Sequence, residues 1–289
     1  MRHAGRVIPA VIAAVFLGMG SAAAGREQTA LVPDQDASSL VNRGVAYAQK
    51  GEWDAAIEHL KKALELDPAK PETYVDLALA YEEKRDFSTA VTYAAEAVKL
   101  APKKASGYLA LGLAYEGLKD TERAERVYRQ GMQADPKNPD LCLTLGNLYG
   151  KEKRFDEAAA VYEKAIAINP KETFAYSNLA YVYQTKGDAA KAVEYLARAV
   201  RADPKDAVAW YDLGSAYMTQ DKVDKAIESL EKSLSLDPKY YKACLSLAMA
   251  YEKNRDLEKS SEYYAKAMAL TNDPRLKEAI LRQITRSNE

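Results

Sequence analysis

The chain has 289 residues, with 41 Lys and Arg against 42 Asp and Glu, a formal net charge of −1. So even a balance supplies no basic excess to hold nucleic acid or an anionic membrane surface, and nucleic acid is set aside as a partner. Its two histidines, His3 and His59, and two cysteines, Cys142 and Cys244, leave little material for a metal or nucleophile site.

At the N-terminus, Arg2 and Arg6 precede an apolar run from Val7 to Gly20, closed by Ser21, Ala22, Ala23 and Ala24. This is the layout of a secretory signal peptide, and the run is shorter than the roughly 20 apolar residues that cross a bilayer. Residues 1–24 are expected to be cleaved after Ala24, which predicts an exported chain, periplasmic or secreted. The alternative is an inner-membrane anchor formed by residues 7–24, the one case in which a membrane contact is expected. Residues 25–36 carry turn formers and charges without a period and read as a flexible linker.

From residue 37 the chain repeats. Tyr47, Tyr81, Tyr115, Tyr149, Tyr183, Tyr217 and Tyr251 recur every 34 residues, and Pro68, Pro102, Pro136, Pro170, Pro204 and Pro238 keep the same interval. Units 37–70, 71–104, 105–138, 139–172, 173–206, 207–240 and 241–274 follow without a gap, and a period of this size means one supersecondary unit copied and stacked. Trp210, Leu213, Gly214 and Tyr217, at positions 4, 7, 8 and 11 of the sixth unit, have the i, i+3, i+4, i+7 spacing of one helix face. Ala226, Leu230 and Ser233, at positions 20, 24 and 27, mark a second helix. Position 8 is always Gly or Ala, and position 20 is Ala in every unit but the last, which has Ser260. Small groups at both places predict a close approach of the two helices.

Proline at position 32 ends the second helix, and Asp67, Asp135, Asn169, Asp203 and Asp237 before it suit a turn closed by side-chain hydrogen bonds. Between the helices, Gly51 and Gly187 mark a turn, while Arg85, Lys119, Lys153, Asp221 and Arg255 fill the place elsewhere. The tyrosines at position 11 share the apolar face and read as packing groups. Cys142 and Cys244 occupy the same place in units three apart, too far for a bridge, and read as small buried groups. Beyond the repeats, residues 275–289 space Leu276, Ile280 and Ile284 four apart among charges, the pattern of a helix capping the end of a stack.

This alternation of aromatic, Leu, small residue, Tyr, Ala and Pro resembles the tetratricopeptide repeat family over residues 37–274. The resemblance implies an all-α fold, an α-α superhelix in which seven helix-turn-helix units and the capping helix form a solenoid. It also implies a concave groove lined by the first helix of each unit at positions 2, 5, 6, 9, 12 and 13. In the fifth and sixth units those positions include Phe174, Ser177, Asn178, Tyr181, Gln184, Tyr211, Asp212 and Ser215, an aromatic and hydrogen-bonding mixture suited to an extended peptide. In the second unit they include Glu72, Asp76, Glu82 and Glu83, a secondary acidic patch suited to a basic segment. Position 5 is mostly aliphatic, so the basic clamp of family members that hold chaperone C-termini is not present. Position 6 has only Asn42 and Asn178, so neither is the asparagine ladder of the glycosyltransferase members.

No HExxH pair, phosphate loop or nucleophile elbow occurs, and no catalytic residue, metal or cofactor is expected. The sequence therefore predicts a non-catalytic scaffold or adaptor that binds a peptide or protein in its groove. With export, analogy places it in the assembly of a bacterial cell-envelope complex. The alternative is a regulatory binding protein anchored in the inner membrane, and self-association through the groove is a further possibility.

Overall fold

The computed structural model describes residues 36–287, and among them every regular element is an α-helix. The leader and linker expected over residues 1–35 lie outside the described residues. Odd-numbered helices open the repeats: α1 (Ala37–Gln49), α3 (Pro71–Glu83), α5 (Ala105–Gly117), α7 (Pro139–Lys151), α9 (Thr173–Thr185), α11 (Ala207–Thr219) and α13 (Tyr241–Lys253). Even-numbered helices return: α2 (Trp53–Leu66), α4 (Phe87–Leu100), α6 (Thr121–Ala134), α8 (Phe155–Ile168), α10 (Ala189–Ala202), α12 (Val223–Leu236) and α14 (Leu257–Leu270). A final helix, α15 (Pro274–Ser287), follows the last pair. The chain divides into two compact bodies, a first ending at Lys164 and a second beginning at Ala165.

Each pair closes on the small residue at position 8. A methyl group at Gly112 would lie 2.1 Å from Cε1 of Tyr128, at Gly146 2.5 Å from Cε1 of Tyr162, and at Gly214 2.6 Å from Cγ of Leu230. The missing side chain is thus the space that a ring or Leu at position 24 fills. Tyr128 is fully buried there, and its hydroxyl donates to Glu116 Oε1 at 2.8 Å, so the buried polar end is satisfied.

Turns between paired helices share one device. The residue at position 15 takes a left-handed conformation, at Gly51 and Gly187 but also at Arg85, Lys119, Lys153, Asp221 and Arg255, whose φ lies between 60° and 62°. This lets the next N–H reach back to the helix C-terminus, as when Asp86 N–H donates to Tyr81 O at 2.9 Å. Aspartates then cap the returning helix: Asp86, Asp120, Asp188 and Asp256 accept from Thr89, Arg123, Lys191 and Lys259 N–H. At the unit boundary, Asp67, Asn169, Asp203 and Asp237 accept from the backbone N–H two residues on, the turn expected before proline.

Successive units are latched by the aromatic at position 4. Tyr74, Tyr108 and Tyr176 hydroxyls and Trp210 Nε1 donate to the carbonyls of Pro68, Pro102, Pro170 and Pro204, at 3.0 to 3.2 Å. Position 11 tyrosines stack on the returning helix: Tyr81 on Tyr93 and Tyr183 on Tyr195 at 5.5 Å, Tyr251 on Tyr263 at 5.7 Å. Only Tyr149 and Tyr251 of this row are fully buried. The other five are half-buried. The final helix α15 lays Leu276, Ile280 and Ile284 against Cys244, Ala248 and Tyr264, where the last pair would otherwise expose its apolar side.

Gly112→Ala is expected to lower stability by about 1–3 kcal/mol, because the fully buried Tyr128 ring has no room to retreat. A methyl group at Gly150, in contrast, meets nothing within 4 Å. Gly150→Ala should leave stability unchanged or raise it by up to about 1 kcal/mol. Urea unfolding midpoints of the two variants check this, and equal midpoints would contradict the tight contact.

Candidate functional site

In the second body the odd-numbered helices α9, α11 and α13 lie side by side. Phe174 on the first turn of α9 is 51% exposed, and Tyr181 two turns later is also exposed. Ser177 and Asn178 lie half-buried between them, and Gln184 is exposed at the end. On α11, Tyr211, Asp212 and Ser215 are half-buried. The fifth-unit residues thus present an open apolar and polar strip, while those of the sixth unit sit deeper. Asn178 and Asp212 each already take part in an interaction within the protein.

Tyr211 has a structural duty as well. Its ring meets Tyr240 edge-on at 5.0 Å and packs on the cluster of Leu230, Leu247 and Tyr251. Substituting it would therefore disturb a layer as well as a surface. Sequence reasoning passed over two residues on the same helices, Val208 and Met249, the latter 50% exposed. They occupy positions 2 and 9, both on the groove-facing list, but a search for amides and aromatics skipped an aliphatic and a thioether. Methionine suits such a place because its side chain adapts to varied apolar partners.

In the first body the four acids of the second unit part company. Glu72 pairs with Lys104; burial pushes its carboxyl up, but the Lys104 bond and charge hold it below the usual range. Glu83 is exposed. Asp76 is fully buried and neither of its carboxylate oxygens has a hydrogen-bond partner. Burial, and then the charge of Glu72, push Asp76 up to about 7, against the pull of Lys70. Glu82 is half-buried with Oε2 unpartnered; burial, then Glu83 and Glu116, push it up to about 7, opposed by Lys151. Lys151 itself is held by Glu116 at 2.6 Å. A uniformly solvated acidic patch is therefore not what the fold builds: its centre is dry and only its edge is wet.

The His59 ring packs at a tilt of 39° on Tyr47, centroids 5.0 Å apart, with Nδ1 2.9 Å from Ala55 O, held within its own layer. Cys142 and Cys244 are buried free thiols, and burial pushes both up from the usual thiol range. Among the described residues no group of three or more His, Cys, Asp or Glu is placed to hold a metal ion. No helix among them is long and apolar enough to cross a membrane.

Residues 11–207 match the family described as the cilia and flagella-associated protein 70 C-terminal domain, and residues 176–279 match that described as the middle TPR-like domain of the same protein. No curated protein matches the chain. Among solved structures it is similar to MamA, at 28% identity over 55% of this chain and 94% of that one, TM-score 0.50. It is similar to yeast Tom70 at 21% identity over 87% of this chain and 53% of that one, TM-score 0.65. It is similar to YrrB, described as a TPR protein with an unusual peptide-binding site, at 21% identity over 65% of this chain and 97% of that one, TM-score 0.51. These likenesses show the fold class: an all-α superhelix of tetratricopeptide type.

The raised Glu82 has a measurable consequence. The folded chain keeps a proton that the unfolded chain has released above the ordinary value of 4.5, so stability from this group falls as pH rises from there through about 7, then levels off. Glu82→Gln removes that loss. Its stability relative to the parent is expected to grow by about 1–3 kcal/mol between about pH 5 and about pH 8, read from urea midpoints. A gap that does not change with pH would contradict the burial of this carboxyl.

Proposed function

We propose, from the premise that this chain belongs to the tetratricopeptide-like family of the cilia and flagella-associated protein 70 C-terminal domain, that it is a non-catalytic protein-interaction scaffold. Its partner contributes an extended peptide segment to the face of α9, α11 and α13. One observation carries this reading: large apolar side chains, Phe174 and Tyr181 on α9, Val208 on α11 and Met249 on α13, stand exposed on successive odd-numbered helices while the apolar residues that hold the fold are buried. A run of such groups on a rigid frame is what a binding surface needs, since it offers contact area without the cost of ordering a loop. Asn178, Asp212 and Ser215 lie among them, and groups of this kind pair with a peptide backbone. The description of YrrB names a peptide site for that protein; a peptide partner here is our own reading.

The composition of residues 1–24 supports export, and export supports a place in the assembly of a bacterial cell-envelope complex. A scaffold acts there by holding one component long enough for others to join. Chemistry on the partner is no part of this role, and the buried thiols and packed His59 fit a chain whose side chains serve packing and contact.

Capture from an envelope extract by the full chain tests the site. Phe174→Ser combined with Tyr181→Ser and Met249→Ser is expected to reduce recovery of the bound protein at least about tenfold, the loss of a few kcal/mol that apolar anchors supply. Leu66→Ser, which removes a 56% exposed leucine from an even-numbered helix of the first body, should leave recovery unchanged. Equal recovery by all chains, with helical content intact, would remove the site assignment.

A further inference from the structure

The helices α9, α11 and α13 carry between them four charged side chains, Asp212, Lys242, Glu252 and Lys253, two of each sign. Each is engaged within the protein. Glu252 accepts from the Tyr264 hydroxyl and from Gln283 Nε2, both at 2.7 Å, and Lys253 pairs with Asp221 at 2.6 Å. Asp212 and Lys242 each take part in an interaction within the chain as well. The charges of these helices therefore balance, and each has a partner of its own. The repeat does not impose this neutrality, because α3 alone carries four acids, Glu72, Asp76, Glu82 and Glu83, and no base.

The apolar groups are in the opposite state. Phe174, Tyr181, Val208 and Met249 are exposed on the same three helices. Between them stand Ser177, Ser215 and Ser246, polar but uncharged. An apolar side chain laid on Phe174 or Met249 takes both surfaces out of water, which is favourable. A carboxylate or ammonium laid there loses its hydration and finds every opposite charge already paired, which is costly. The face thus selects by rejecting charge as well as by attracting apolar groups. Its length follows from the packing. Packed helices lie about 10 Å apart, so the path from α9 to α13 is about 20 Å, the span of about six extended residues.

We propose that the segment held by α9, α11 and α13 is an apolar stretch of a partner protein, about six residues long, without Lys, Arg, Asp or Glu. The proposal rests on the docking face argued above and adds the chemistry of its occupant. Backbone N–H and C=O groups of the segment pair with the neutral hydroxyls and amides of the face, which needs no charge on either side. Recognition is then nearly independent of salt, because screening acts on charges and leaves apolar contact intact.

Fluorescence anisotropy on the full chain tests it, with end-blocked peptides of about nine residues. One peptide alternates Leu, Phe and Met with Ser and Asn, and two others carry Lys or Glu in place of its central residue. Binding is read as the part lost when Phe174, Tyr181 and Met249 are all replaced by Ser, with helical content unchanged. The neutral peptide is expected to bind, and each charged one to bind at least about tenfold more weakly. Affinity for the neutral peptide should move less than about twofold between about 50 and about 500 mM NaCl. Failure of the neutral peptide to bind, equal binding of a charged one, or a strong salt dependence would each overturn the proposal. In any of those cases the docking face itself still stands if the triple replacement lowers partner capture. Dimers of the full chain that the triple replacement dissolves, seen by light scattering, would give the face to a second copy and overturn the proposal too.

Discussion

The structure depends on one contact, a residue without bulk at position 8 of the first helix receiving a ring or Leu from position 24 of the second. Gly112 with Tyr128 and Gly146 with Tyr162 are the tightest cases, where even a methyl group would collide. Close packing of this kind transmits strain instead of absorbing it, so the contact fixes the spacing within a pair. Position 8 is Ala in three units, and there the position 24 partner is Ala94 opposite Ala78, Leu196 opposite Ala180 and Tyr264 opposite Ala248, all of them buried. What is kept in every unit is a residue no larger than Ala at position 8.

Because the frame is held on one side of each odd-numbered helix, its other side is free to vary. The two bodies use that freedom differently. In the first, Leu79 and Leu113 are buried and an unpartnered Asp76 lies among them. In the second, Tyr181 and Met249 stand in the same register and face solvent. In the proposed reading, stability and recognition are carried by different positions of one repeat.

The helices, their order and their packing rows were legible because a repeated period samples the same physical constraint many times over. Apolar spacing places Leu213 and Tyr217 on one face, and Pro68 ends α2 for want of an N–H. Less legible was the left-handed residue at position 15, since Arg85 and Lys119 carry no mark of it. Glycine would signal such a turn, but here the helix-terminal hydrogen bonds, such as Asp86 N–H to Tyr81 O, hold a lysine or arginine there instead. Nor did spacing reveal that Tyr74 and Trp210 donate to proline carbonyls six residues earlier, which gives the recurring proline a second task. At the candidate site, Phe174 and Tyr181 are exposed, while Tyr211 is half-buried and meets Tyr240 edge-on. The dry Asp76 could not be read from the sequence, because its place at position 6 does not set how deeply it is buried: Asp212 at the same position is only half-buried.

Amide hydrogen exchange of the full chain, with and without its captured partner, tests most directly whether the odd-numbered helices carry recognition while the even-numbered helices carry support. Added protection concentrated in α9, α11 and α13, with α10, α12 and α14 unchanged, is the expected result. Protection spread equally over both sets, or confined to the even-numbered helices, would contradict it.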